Sequence, residues 1–133
     1  MIFLTRRSTF SASHYYWNNG WTAEENERVF GRCANRNGHG HNYTLEVTVA
    51  GEPDPVTGFV VDLKWLKDVI EREVLAAFDH RHLNLEVPEF AHLNPTVENI
   101  ARIIFGLLKP VVANLVSITV WETPKTWCEF SDG

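Results

Sequence analysis

Hydrophobic and polar positions alternate at both ends of the chain and recur at helical spacing in the middle. Tyr43, Leu45, Val47 and Val49 alternate with Thr44, Glu46 and Thr48, which predicts a half-buried strand over residues 41–50. Residues 2–14 set Ile2, Leu4, Phe10 and Ala12 among Thr and Ser, an imperfect alternation that predicts a strand carrying a bulge. Val116, Ile118 and Val120 alternate with Ser117, Thr119 and Trp121 in a third strand; after a Thr123-Pro124-Lys125 turn, Thr126–Phe130 reads as a short fourth. Between the strand pairs, a turn-rich stretch over 51–58 leads to Asp62, which can cap a helix with Leu63, Leu66, Ile70, Val74 and Ala77 on one face. Thr96 can cap a second helix, with Val97, Ile100, Ala101, Ile104, Leu107 and Leu108 on one face until Pro110 stops it. The order is ββααββ, an α+β pattern with antiparallel pairing expected at each end. The connection over 15–38 is long for a small domain, and such a loop is expected to be functional or disordered.

Length and composition narrow the class. The 133 residues fit one domain, 1–133, and 44% apolar with 22% charged residues is a globular balance. Twelve Lys+Arg against seventeen Asp+Glu leave a net charge of −5, which argues against a general nucleic-acid or anionic-membrane binder while allowing a local basic pocket for one phosphorylated ligand. Cys33 and Cys128 are the two cysteines, too few for a secreted disulfide framework. The first residues place their charges after too short an apolar run for a signal peptide, and Arg102, Lys109, Pro110 and Asn114 interrupt the most apolar stretch. The expectation is a reduced, cytoplasmic protein.

Chemistry enters with the histidines. His39-Gly40-His41 puts two imidazoles at i and i+2, on one face of an extended segment, in parity with Leu45, Val47 and Val49. An inward polar ring needs a partner, and a metal is one solution. His14, at the end of the first strand, can reach across a paired strand and supply a third nitrogen; three histidines plus an open position is a common catalytic zinc arrangement. Arg28, Arg32 and Arg36 surround Cys33, which favours a thiolate and an anionic ligand. A small buried hydrophobe or a fourth zinc ligand are equally open readings of that cysteine. Asp79-His80 pairs a carboxylate with an imidazole suited to acid–base work. Glu122 has the parity of Val116, Ile118 and Val120, so a carboxylate falls where the strand is otherwise apolar; a guanidine-like ligand edge would supply the paired N–H donors it needs.

Five blocks together resemble 6-pyruvoyltetrahydropterin synthase and its bacterial relative, 6-carboxytetrahydropterin synthase of the queuosine pathway. They are Phe10-Ser-Ala-Ser-His14, the run from Cys33 through His39-Gly-His41 to Tyr43, Asp79-His80 with Leu83-Asn84, Pro95-Thr-Val-Glu-Asn99, and Glu122-Thr123. The resemblance covers nearly the whole chain in order. It implies the tunnelling fold, ββααββ subunits whose sheets join into barrels as trimers, two trimers forming a homohexamer. It implies Zn²⁺ on His14, His39 and His41; Cys33 as general base with Asp79 and His80 completing a catalytic triad; and Glu122 as anchor of the pterin ring, with Thr96 and Glu98 as further substrate contacts. The implied substrate is 7,8-dihydroneopterin triphosphate, from which triphosphate is eliminated, with no nucleic-acid or membrane partner. The short chain and the Asn94-Pro95-Thr96 form favour the 6-carboxy product, with acetaldehyde released; the position of Cys33 six residues before His39 favours the alternative, 6-pyruvoyltetrahydropterin of the tetrahydrobiopterin route. A reading from another class is a non-catalytic, zinc-stabilised oligomeric module in which Cys33 closes the metal site.

Overall fold

A computed structural model describes residues 1–133. Strand β1 (Ile2–His14) is followed by helix α1 (Ala23–Phe30), a 3₁₀ turn (Gly31–Ala34) and strand β2 (His39–Gly51). Helix α2 (Leu63–Ile70) continues through a π turn (Glu71–Leu75) into α3 (Ala76–Phe78). Then come β3 (Arg81–His82), α4 (Leu83–Glu86), α5 (Val97–Leu108), β4 (Leu115–Thr123) and β5 (Thr126–Phe130). The sheet runs β3-β1-β2-β4-β5; β3 is parallel to β1 and the other pairs are antiparallel, so the fold is α+β with a five-stranded mixed sheet.

One face of this sheet is apolar and carries the helices. Phe10, Ala12, Tyr43, Leu45, Val47, Val49, Ile118 and Val120 are buried against Leu66, Val69, Ile70, Val74 and Phe78 and against Ile100, Ala101, Ile104 and Leu108. Asp62 caps α2 by accepting from the Lys64 and Trp65 amides, as the sequence predicts. The other face is a polar lattice in which the Thr5 and Thr48 hydroxyls meet at 2.8 Å, Arg7 pairs with Glu46, and the Trp121 indole donates to Glu46 (2.6 Å). No helix is long and apolar enough to cross a membrane.

Four details depart from the sequence reading, each for a local reason. The β1 alternation carries no bulge: it pairs without interruption from Ile2↔Gly51 to His14↔His39, and its polar inward positions, Arg6 and Ser8, lie where the helices no longer cover the sheet fully. The irregularity lies in β4, where Thr48 opposes Ser117 but Val49 opposes Leu115, so Val116 is the extra residue and Leu115 takes the inward place. The π turn inserts a residue into the second half of the α2 face, so Phe78 is buried where Ala77 was expected, and Ala77 is exposed. The 15–38 connection holds α1, capped by the Thr22 hydroxyl, which accepts from the Glu25 amide.

Candidate active site and metal centre

The end of β1 and the start of β2 bring three imidazoles together. His14 lies directly opposite His39, and His41 sits two residues further on the same face, opposite Ala12. One ring nitrogen from each lies within 4.8 Å of the others. His14 is fully buried, with Nε2 at 3.2 Å from His39 Nε2 and Nδ1 at 2.9 Å from the Tyr43 hydroxyl. A proton on His14 Nδ1, donated to the Tyr43 oxygen, turns the Nε2 lone pair into the cluster, the arrangement that orients a metal-binding histidine. The His41 Nε2 is buried and has no hydrogen-bond partner. Nitrogens converging in this way need a proton or a cation between them, and three imidazoles suit a first-row transition metal. The donor set therefore fits a metal ion.

Burial, reinforced by the charges of His39, His41 and His82, pushes the His14 pKa down to about 3. Burial also lowers that of His41, against the opposing pull of Glu122. Both rings are held in the neutral form that ligates metal. For His14 the folded value lies below the unfolded one, near 6.5, so the stability it contributes is complete above pH 6.5 and falls as pH drops toward 3. Metal-stripped protein should accordingly lose about 1 kcal/mol of unfolding free energy between pH 7 and 5.5, above the range where carboxylates titrate. Urea unfolding at the two pH values checks this; an unchanged midpoint would contradict it.

The remaining polar groups gather around this cluster in two sets. In the first, Glu122 places Oε1 3.9 Å from His41 Nε2, while its Oε2 is buried with no partner. Tyr16 stacks at a tilt against His14 (4.9 Å), and burial followed by the Glu122 charge raises its phenol pKa. Cys33, partly buried, feels the same carboxylate: burial first and then Glu122 push its thiol up. This corrects the expectation of a thiolate favoured by arginines. Arg28 is paired with Glu25, and Arg36 lies over Tyr15 and Trp17, so neither acts on the sulfur. Cys33 also stands outside the set of converging ring nitrogens, which removes the support for a closed site with a fourth ligand. Gly38 adopts φ 81°, and a Cβ there would come within 3.0 Å of His82 Nε2 and 3.1 Å of the His14 carbonyl, so only glycine lets the chain enter β2 this close to the cluster.

Asp79 and His80 form the second set. Asp79 Oδ1 lies 3.0 Å from His80 Nδ1 and accepts from the Ser11 amide, while the His80 amide donates to the Ser11 carbonyl. This reciprocal clamp on β1 holds His80 at φ 61°, an uncommon backbone region for a residue with a side chain. The Ser11 amide is the main reason the Asp79 carboxyl titrates below its ordinary range. The His80 side chain is 82% exposed, and no hydrogen bond or ion pair joins this dyad to Cys33 within one chain. Thr96 caps α5, its hydroxyl accepting from the Asn99 amide, and exposed Glu98 in the same first turn bears electrostatically on Tyr16 and Cys128.

Sequence reasoning did not single out Tyr43, Tyr16 or His82 as parts of this site. Tyr43 had a signal, since it shares the parity of His39 and His41 and brings a hydroxyl into an apolar face. Tyr16 and His82 had none, because their positions depend on the 15–38 connection and on β3, which have no period.

Three comparisons bear on this geometry. The family model described as 6-pyruvoyl tetrahydropterin synthase matches residues 3–132. Human 6-pyruvoyl tetrahydrobiopterin synthase is 44% identical over 122 residues, 90% of this chain and 84% of the human one; 6-carboxy-5,6,7,8-tetrahydropterin synthase of Haemophilus influenzae is 30% identical over 123 residues, 77% of this chain and 86% of its own. The structure of Caenorhabditis elegans 6-pyruvoyl tetrahydropterin synthase superposes with a TM-score of 0.94 at 38% identity, covering 99% of this chain and 96% of that one.

Proposed function

The chain belongs to the 6-pyruvoyl tetrahydropterin synthase family, and on that premise we propose that it converts 7,8-dihydroneopterin triphosphate into 6-pyruvoyltetrahydropterin with loss of triphosphate. This reverses the order of products expected from sequence: the relative named for the pyruvoyl reaction stands at 44% identity and the one named for the carboxy reaction at 30%. The observation that carries the reading is the orphaned Glu122 Oε2 beside the three-imidazole cluster. An inward carboxylate oxygen without a donor is matched by the N–H groups at the guanidine-like edge of a pterin, which would set the side chain of the substrate toward the histidines.

His14, His39 and His41 would hold Zn²⁺. Two of their nitrogens lie 3.2 Å apart and one from each ring lies within 4.8 Å of the others, close enough for the three to share one ion. The ion, when bound, supplies Lewis acidity toward a substrate hydroxyl and so acidifies the neighbouring C–H. Cys33 takes the proton from that carbon as triphosphate departs. A thiol with a raised pKa is the stronger base once ionised, and it loses its proton most readily when a cation sits nearby. Asp79 fixes the His80 ring, which holds the proton during the tautomerisation that follows. Thr96 and Glu98 at the start of α5 would be further contacts of the substrate. Release of inorganic triphosphate from the pure substrate by zinc-loaded protein tests this function; its absence would overturn it.

The exposed His80, unconnected to Cys33 within one chain, and the open sheet edges support assembly. β1 is paired on its outer side only at Ala12 and Ser13, and β5 has no outer partner. Such edges are a liability in a lone subunit. We therefore expect a trimer or a hexamer of two trimers, with the dyad of one subunit completing the site of the next. Light scattering at working concentration checks it, and a stable monomer would contradict it.

A further inference from the structure

Two cavities beside the 15–36 connection share Trp17 and Arg36 as a common wall. One, of about 610 Å³, is bounded by Tyr15, Trp17, Trp21, Phe30 and Phe90 together with asparagine amides; the other, of about 620 Å³, adds Arg32. Neither is lined by His14, His39, His41, Cys33 or Glu122. Their sizes fall in the range of small-ligand sites.

The chemistry of the walls is specific. The Arg36 guanidinium lies 4.7 Å from the Trp17 ring centre and 5.3 Å from that of Tyr15, over two aromatic rings. Arg7, Arg28, Arg72 and Arg81 have carboxylate partners; Arg32 and Arg36, like Arg6 and Arg102 elsewhere, have none in a chain of net charge −5. Glu27 is the one acid on the second cavity, and it pairs with neither arginine. Trp21 stacks one face on Phe30 and is still 40% exposed. Asn94 and Asn99 turn one amide group each toward the framework, Asn94 accepting from the Trp17 amide and Asn99 donating to the Asn94 carbonyl. The second amide group of each, a donor on Asn94 and an acceptor on Asn99, has no protein partner. Aromatic faces, an unspent donor and acceptor, and two unpaired guanidinium groups match a flat nitrogen heterocycle carrying a phosphate.

We propose that these adjoining cavities bind a phosphorylated planar heterocycle, the chemistry of a purine nucleotide or of a phosphorylated pterin, at a place distinct from the metal centre. The ring lies against Trp21 with its edge on Asn94 and Asn99, and the phosphate sits at Arg32 and Arg36. The proposal does not depend on the reaction at the metal centre.

Isothermal titration of the zinc-loaded protein tests it, with guanosine 5′-monophosphate in one arm and neopterin monophosphate in the other. The tighter binder identifies the source, and the assigned site is the part of the binding that Arg36→Ala removes. The expected result is saturable binding of at least one probe, weakened about tenfold or more by Arg36→Ala and by Trp21→Leu, with the unphosphorylated form of that probe, guanosine or neopterin, binding about tenfold weaker. Zinc content confirms that each variant is folded; if Arg36→Ala loses it, Arg36→Lys, which keeps charge but not the planar fork, should still weaken binding. No saturable binding of either probe up to about 1 mM, binding unchanged in the folded variants, or the tighter binder equalled by its own unphosphorylated form would each overturn the proposal.

Discussion

Alanine at His39 or His41 should leave the protein without its metal and without turnover. Each substitution removes one of three nitrogens that lie within 4.8 Å of one another, and two remaining imidazoles cannot hold the ion in the same way. Elemental analysis should fall from about one zinc per chain to near none. Tyr43→Phe should act on the same property more mildly. It removes the partner of His14 Nδ1 and frees the ring to change tautomer, which commonly weakens metal affinity about 10- to 100-fold. Full zinc retained in both His39→Ala and His41→Ala would end the assignment.

Cys33→Ala is expected to separate chemistry from structure. Because Cys33 stands outside the ligand set, the variant should keep its zinc and its assembly while turnover falls by about 10²- to 10⁴-fold, the usual worth of a general base. Zinc content and turnover are measured on one preparation. Loss of metal together with stability would point to a ligand after all, and normal values of both would make Cys33 a bystander.

The parts of this site that could be read from sequence are those fixed by strand parity. His39 and His41 fall on the inward face of a regular strand, Glu122 follows Ile118 and Val120 in parity at a second irregularity of β4, and the two helices around Leu66 and Ile104 follow their apolar period. Where backbone geometry slips by one residue, parity misleads, as at Val116 in the β4 bulge and at Ala77 after the π turn. Helix α1 has no apolar period to read because its one buried residue is Asn26, whose amide accepts from the Asn18 N–H and donates to the Asn18 and Thr22 carbonyls. The Thr22-x-x-Glu25 cap was its available signal. The state of Cys33 was not legible at all: three nearby arginines suggest a thiolate in sequence, but tertiary structure turns Arg28 to Glu25 and Arg36 to Trp17, while burial and the charge of Glu122 push the thiol up.

The central claim concerns what becomes of the three-carbon side chain of the substrate. It is tested most directly by mass spectrometry of the products formed by pure, zinc-loaded protein from 7,8-dihydroneopterin triphosphate under anaerobic conditions. Retention of all three carbons as a pyruvoyl group, with inorganic triphosphate as the one released fragment, is the predicted result; release of acetaldehyde with a 6-carboxy pterin would contradict it.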